Sequence, residues 1–75
     1  MTESIAVIFG GPSDEHDISI LTGLQSSRIL NNRYDVQNIY WSKDNKWYLV
    51  KNDLEPIDFV DNDDIFKNEL TIKYD

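Results

Sequence analysis

Residues 5–23 read IAVIFGGPSDEHDISILTG, and this stretch decides the fold. Ile5 to Phe9 is a continuous apolar run rich in β-branched residues and closed by the pair Gly10-Gly11, which reads as a strand buried on both faces, the habit of a central strand in a parallel sheet. Past the turn the pattern changes period. Ile18, Ile20, Leu21, Leu24 and Ile29 fall on about half of a helical wheel, a broad stripe suited to packing on a sheet, so a helix is expected from about Glu15 to Leu30, where NNRY ends it. A strand entering a helix through two glycines is the start of a βαβ unit.

The next segment, YDVQNIYWSKDNKWYLV at residues 34–50, supplies the rest of that unit. Its β-branched and aromatic residues predict a second strand near Val36 to Trp41, parallel to the first. SKDNK is polar turn material and WYLV resumes the strand pattern, so residues 39–50 read as a hairpin that edges the sheet with an antiparallel strand. Farther on, DNDDIFKNE predicts a short helix capped by Asp61 or Asn62, and Leu70, Ile72 and Tyr74 alternate with polar residues as a half-buried strand does. The fold expected is a small α/β domain: βαβ-based, with a mostly parallel, Rossmann-like sheet and an antiparallel hairpin.

The chain has 75 residues, enough for one small core, and 40% apolar residues with 12% aromatics to fill it. No repeat or Pro/Gly/Ser linker divides it. The formal net charge is −7, unevenly placed: residues 1–50 hold six acids and four bases, residues 51–75 eight acids and three bases. Nucleic acid and anionic membranes need a basic patch to displace counterions or meet headgroups, so neither is an expected partner. With no cysteine there is no disulfide, thiolate metal site or thiol nucleophile, which fits a reducing, cytoplasmic setting. The acidic start MTESIAVIF has neither the basic flank nor the length of a signal peptide or membrane span.

Chemistry concentrates at the turn. Glycines at a strand-to-helix junction often bring backbone N–H groups to a phosphate, but GGPSDEH is neither GxGxxG nor GxxxxGK[ST], and Asp14, Glu15 and Asp17 would repel one. The plainer reading is that Gly10 and Gly11 permit a tight turn. The helix dipole favours negative charge at its start, and Ser13 or Asp14 can cap free N–H groups there. The functional reading is that one carboxylate faces the crevice at the carboxyl end of the first strand, where open α/β sheets place ligands, and binds a cation such as an ammonium. His16 is the only histidine, and without a second His or Cys it makes no metal set; a surface role or a supporting role behind the site is left for it. The acids from Asp58 to Asp64 lack the pattern of a calcium loop and read as solvated surface. Trp41, Trp47 and Tyr48 read as hairpin packing rather than a stacking platform.

Taken together, the two stretches resemble the N-terminal region of D-alanine–D-alanine ligases, enzymes of the ATP-grasp class that serve bacterial cell-wall synthesis. In that family a first strand ends in Gly-Gly, a Ser-x-Glu-His-x-[Val/Ile]-Ser run opens the first helix, and a Lys-Asp-Gly-x-Trp-Tyr hairpin follows. Here Gly10, Gly11, Ser13, Glu15, His16, Ile18 and Ser19 match the first pattern, and Lys43, Asp44, Trp47 and Tyr48 the second. Asn45 stands where the hairpin usually has Gly, a swap that asparagine tolerates because it also accepts positive φ.

The resemblance implies a pre-ATP-grasp fold for residues 1–75, as the N-terminal substrate-binding domain, or a fragment of one, of a larger ligase. It implies joining of two D-alanines with ATP and Mg2+ through an acyl phosphate, in a cytoplasmic and homodimeric parent. D-alanine and the remainder of the ligase chain are then the partners. Glu15 would hold the ammonium of the first D-alanine, Ile18 would line the pocket for its methyl group, and Ser13 and Ser19 would cap and orient the turn. The family's ATP and magnesium contacts belong to later segments, so these 75 residues alone are expected to bind no cofactor and to be inactive. The rival readings are a flavodoxin-like regulatory module sharing the βαβ start, and an interaction domain whose acidic face docks a basic partner.

Overall fold

The computed structural model describes residues 3–61 and 63–71. Strand β1 (Ser4–Gly10) leads through the glycine turn into helix α1 (His16–Leu30), which returns the chain to β2 (Asp35–Trp41) and β3 (Trp47–Val50). A short helix α2 (Asp58–Asp61), a 3-10 turn (Asp63–Phe66) and the two-residue strand β4 (Glu69–Leu70) follow. The strands lie in the order β1-β2-β3-β4.

The first strand and the second are parallel neighbours, with Ile5 beside Val36 and Phe9 beside Tyr40. The sheet is mixed: β2–β3 and β3–β4 are antiparallel. Only the β1-to-β2 link carries a helix, whereas residues 42–46 alone join β2 to β3, far short of the dozen or so residues that a parallel crossover needs. In that loop Ser42 N donates to Lys46 O (2.8 Å), Asn45 N donates to Ser42 O (3.0 Å), and Asn45 takes φ 66°. Asparagine therefore fills the left-handed position usually given to glycine.

Alternation sorts the sheet into two faces. Phe9, Val36, Asn38, Tyr40, Tyr48 and Val50 are buried on the face that α1 covers, and Leu54 and Ile65 close the core from the later segments. Helix α1 buries His16, Ile20, Leu24 and Ser27, a stripe at four-, four- and three-residue spacing with a polar residue at each end. Both polar ends are tied to β2. His16 Nε2 meets Tyr40 Oη at 2.9 Å, and Ser27 Oγ–H donates to Asn38 Oδ1 at 2.6 Å.

Two expectations need correction. Among the described residues the first strand stands at the end of the strand order, where a central place was expected, and it is buried on one face only, with Ile8 53% exposed. The helix stripe is likewise narrower than its apolar residues: Ile20 and Leu24 pack inward, while Ile18, Leu21 and Ile29 are exposed. The cause is the same for both, because among the described residues one helix covers one face of a four-stranded sheet. The short helix expected from DNDDIFKNE is the 3-10 turn Asp63–Phe66, and the cap expected for it from Asp61 or Asn62 lies outside what is described; the preceding α2 has its own local bond, Asp58 Oδ2 accepting from Glu55 N (2.8 Å). Of the expected late strand, Leu70 closes β4, while Ile72 and Tyr74 lie outside the described residues.

Candidate functional site

The turn between β1 and α1 is held from three sides. Gly10 and Gly11 both take positive φ, 98° and 99°, and a Cβ on Gly10 would lie 2.4 Å from Trp41 O. Any side chain there collides with backbone, so glycine is required. Gly10 N–H donates to Ser19 Oγ (3.0 Å) and Gly11 N–H donates to Trp41 O (2.7 Å). Ser13 Oγ accepts from Glu15 N at 3.3 Å, and His16 N–H donates to Ser13 O at 3.2 Å.

These bonds bear on what the turn can bind. Both glycine N–H groups already have acceptors, so the turn offers neither of them to a phosphate, and three carboxylates surround it. The residues present do not fit a nucleotide phosphate. Among the described residues no group of three His, Cys, Asp or Glu is placed to hold a metal ion.

The acids of the turn diverge. Glu15 occupies the cap position of α1, yet its side chain caps nothing. It lines an open groove of about 390 Å³ between α1 and β1, together with Ile8, Ile18 and Ser19. Asp17 lies on the other side of the helix start, in a separate hollow with Pro56, Ile57 and Phe59. Asp14 is exposed. A free carboxylate beside an isoleucine, under the positive end of a helix, can receive an ammonium and a small apolar group together.

Burial removes the surface role for His16, which is 5% exposed. Its Nδ1 lies 2.6 Å from Gly11 O, an atom that only accepts, so Nδ1 carries the proton; in that tautomer Nε2 accepts from Tyr40 Oη–H. Burial raises the Tyr40 pKa, and the charges of Asp44 and Asp17 push in the same direction. Trp41 stacks on Trp47 across the hairpin, centroids 4.7 Å apart and planes 8° apart, while Tyr48 turns into the core. The ring of Trp41 also floors the turn, about 3.1 Å from where a Gly11 Cβ would stand.

Three features escape a reading of residues in order. The His16–Tyr40 and Ser27–Asn38 pairs join positions 24 and 11 apart that only the folded unit brings together. Gly23 did carry a signal, because a glycine inside a helix costs about 1 kcal/mol and needs a reason. A Cβ there would lie 2.4 Å from Phe9 Cβ, so the glycine lets α1 sit directly on β1.

Comparison with known proteins agrees with this architecture. The family profile described as "D-ala D-ala ligase N-terminus" matches residues 4–73. The D-alanine–D-alanine ligase of Staphylococcus epidermidis is 40% identical over 63 residues, covering 79% of this chain and 17% of its own. That of Thermosipho melanesiensis is 37% identical over 84 aligned residues, covering 95% of this chain and 23% of its own. The chain thus spans about a fifth of the length of these relatives. Among solved structures, the Helicobacter pylori D-alanine–D-alanine ligase superimposes with a TM-score of 0.72 at 23% identity, over 99% of this chain and 22% of that one, and shares its fold. The VanG D-Ala:D-Ser ligase of Enterococcus faecalis gives 0.60 at 26% identity, over 92% of this chain and 20% of its own. The chain belongs to the D-alanine–D-alanine ligase family, whose N-terminal region it represents.

Proposed function

We propose that these residues form part of the first-substrate site of an ATP-dependent D-alanine–D-alanine ligase. The carrying observation is that Glu15 and Ile18 line one groove, with the Glu15 carboxylate uncommitted to capping. Glu15 receives the ammonium of the first D-alanine and Ile18 contacts its methyl group. Held by its ammonium, that substrate keeps its own carboxylate, the reacting end, free to face the rest of the enzyme. Gly10, Gly11, Ser13 and Ser19 hold the turn from which Glu15 projects.

ATP and Mg2+ are assigned to segments of the ligase beyond these residues, because the turn has its glycine N–H groups already bonded. Residues 1–75 alone are then inactive, and the domain works as one wall of a site that the rest of the chain completes. A cytoplasmic, homodimeric parent is part of the same reading; among the described residues no helix is long and apolar enough to cross a membrane. The flavodoxin-like module finds no support in the relatives above, which are ligases.

Glu15→Gln in the full-length ligase tests the assignment. The change keeps shape and removes charge, and a charge-assisted hydrogen bond is worth about 1.5 to 3 kcal/mol, so kcat/KM for the first D-alanine should fall roughly 10- to 150-fold. The KM for ATP should stay within about twofold. Steady-state kinetics for D-alanine that match the parent would remove Glu15 from the site.

A further inference from the structure

We propose that His16 is a positioning residue for Glu15: its imidazole locks the turn between Gly11 and the helix start to the sheet, and so fixes where the substrate-binding carboxylate stands. This rests on the role given to Glu15 above. The ring bonds at both ends, to Gly11 O at 2.6 Å and to Tyr40 Oη at 2.9 Å. The first bond closes a loop of five positions that contains Glu15. The second reaches β2, where Tyr40 is 5% exposed and packed against Phe9, Tyr48 and Phe59.

Stability of the helix start does not by itself account for this arrangement. Ser13 already serves the N–H groups of Glu15 and His16 with its hydroxyl and its carbonyl. Ser13's bonds stay within the turn, and Gly11 N–H ties only the turn's beginning to β2, through Trp41 O (2.7 Å). His16 ties the helix start as well, through a flat ring whose two nitrogens reach Gly11 O on one side and Tyr40 Oη of β2 on the other. Gly11 is consequently fixed at both backbone groups, its N–H by Trp41 O and its carbonyl by His16. Glu15 and His16, adjacent in sequence, divide the work: one faces the groove and the other anchors the turn behind it.

The test is kinetic, in the full-length ligase. His16→Ala should raise KM for the first D-alanine by about 10-fold or more, toward the ~10²-fold loss expected when a ligand is displaced by about 1 Å, with KM for ATP within about twofold. His16→Asn, whose side-chain N–H can still reach Gly11 O, should recover part of that loss. Combined with Glu15→Gln, His16→Ala should add less than about twofold, because an uncharged side chain leaves no ion pair to position. If the alanine variant fails to fold, His16→Asn and Tyr40→Phe carry the same comparison, each expected to raise the D-alanine KM severalfold. The proposal is overturned if the His16 variants lower only thermal stability, or if their effects multiply fully with that of Glu15→Gln. Should Glu15→Gln itself leave D-alanine kinetics unchanged, the Glu15 assignment falls and takes this one with it. A normal His16 variant beside an impaired Glu15→Gln removes His16 alone.

Discussion

Gly23→Ala sets two well-understood effects against each other at one position. In a helix interior alanine is favoured over glycine by about 1 kcal/mol, so propensity alone predicts a more stable chain. The structure predicts the reverse. The added Cβ would lie 2.4 Å from Phe9 Cβ and 2.8 Å from its Cγ and Cδ2, where carbon atoms normally rest at about 3.5 to 4.0 Å. The nearest atom is the first side-chain carbon of a strand residue, which no rotamer change moves aside. Relief therefore requires α1 to lift from β1 by about 1 Å, and overpacking of this kind costs about 1 to 3 kcal/mol, with backbone displacement at the upper end. Subtracting the propensity gain leaves a net loss of about 1 to 2 kcal/mol, equivalent to a Tm lowered by about 5 to 15 °C in a domain of this size. Urea unfolding followed by the fluorescence of Trp41 and Trp47 measures it, with Gln25→Ala on the exposed side of the helix as the control, expected within about 0.5 kcal/mol. A stabilised Gly23→Ala variant would refute the close approach of α1 to β1, and with it the placement of the groove between them.

Ser27→Ala should cost about 1 to 3 kcal/mol in urea midpoint at constant slope, because it removes the hydroxyl bonded to the amide oxygen of Asn38, a side chain 0% exposed; a loss below about 0.5 kcal/mol would reject that bond as a structural tie. Tyr40 predicts an alkaline weakness: its pKa is raised by burial, so the folded state holds the proton more tightly than the unfolded one, and the stability this confers is complete below about pH 10 and is lost as pH climbs through the folded value. The stability difference between the parent and Tyr40→Phe should accordingly be flat below about pH 9 and shrink above about pH 10, whereas a difference constant to about pH 11 would contradict it.

The elements legible in the sequence are those whose signal is local. The apolar run of β1, the period change into α1, and the aromatic strands of the hairpin each report on neighbours within a few positions, and each stands within a residue or two of its expected place. Asn45 was legible for the same reason, since a turn needs its left-handed residue at a fixed offset. What local pattern cannot give is the identity of the covering partner. Ile8, Ile39 and Leu49 align across three strands on the sheet face that α1 does not cover, and Ile18 and Leu21 stand out from the helix. Their apolar character says that these positions favour cover, and periodicity translated this into two-sided burial; the described residues supply cover on one side only. For His16 local pattern left two roles open, and burial removes only the surface one. A lone histidine is weighed by its neighbours in sequence, and its decisive neighbour lies 24 positions on, beside the turn only because the βαβ unit returns the chain there.

That return also favours this turn, over the hairpin, for the carboxylate proposed to bind substrate. A ligand group must be free to meet solvent and substrate, yet every degree of freedom it loses on binding weakens the complex. Glu15 satisfies both demands because its own side chain is uncommitted while the backbone around it is held by bonds from α1, β2 and the turn itself. Inside the hairpin a glutamate would be fixed but remote from the groove lined by Ile8, Ile18 and Ser19. The glycines matter to this chemistry only indirectly. By accepting positive φ they let the chain reverse within hydrogen-bonding distance of Trp41, and that close reversal is what brings a helix start, with its positive dipole end, to the carboxyl end of a parallel strand.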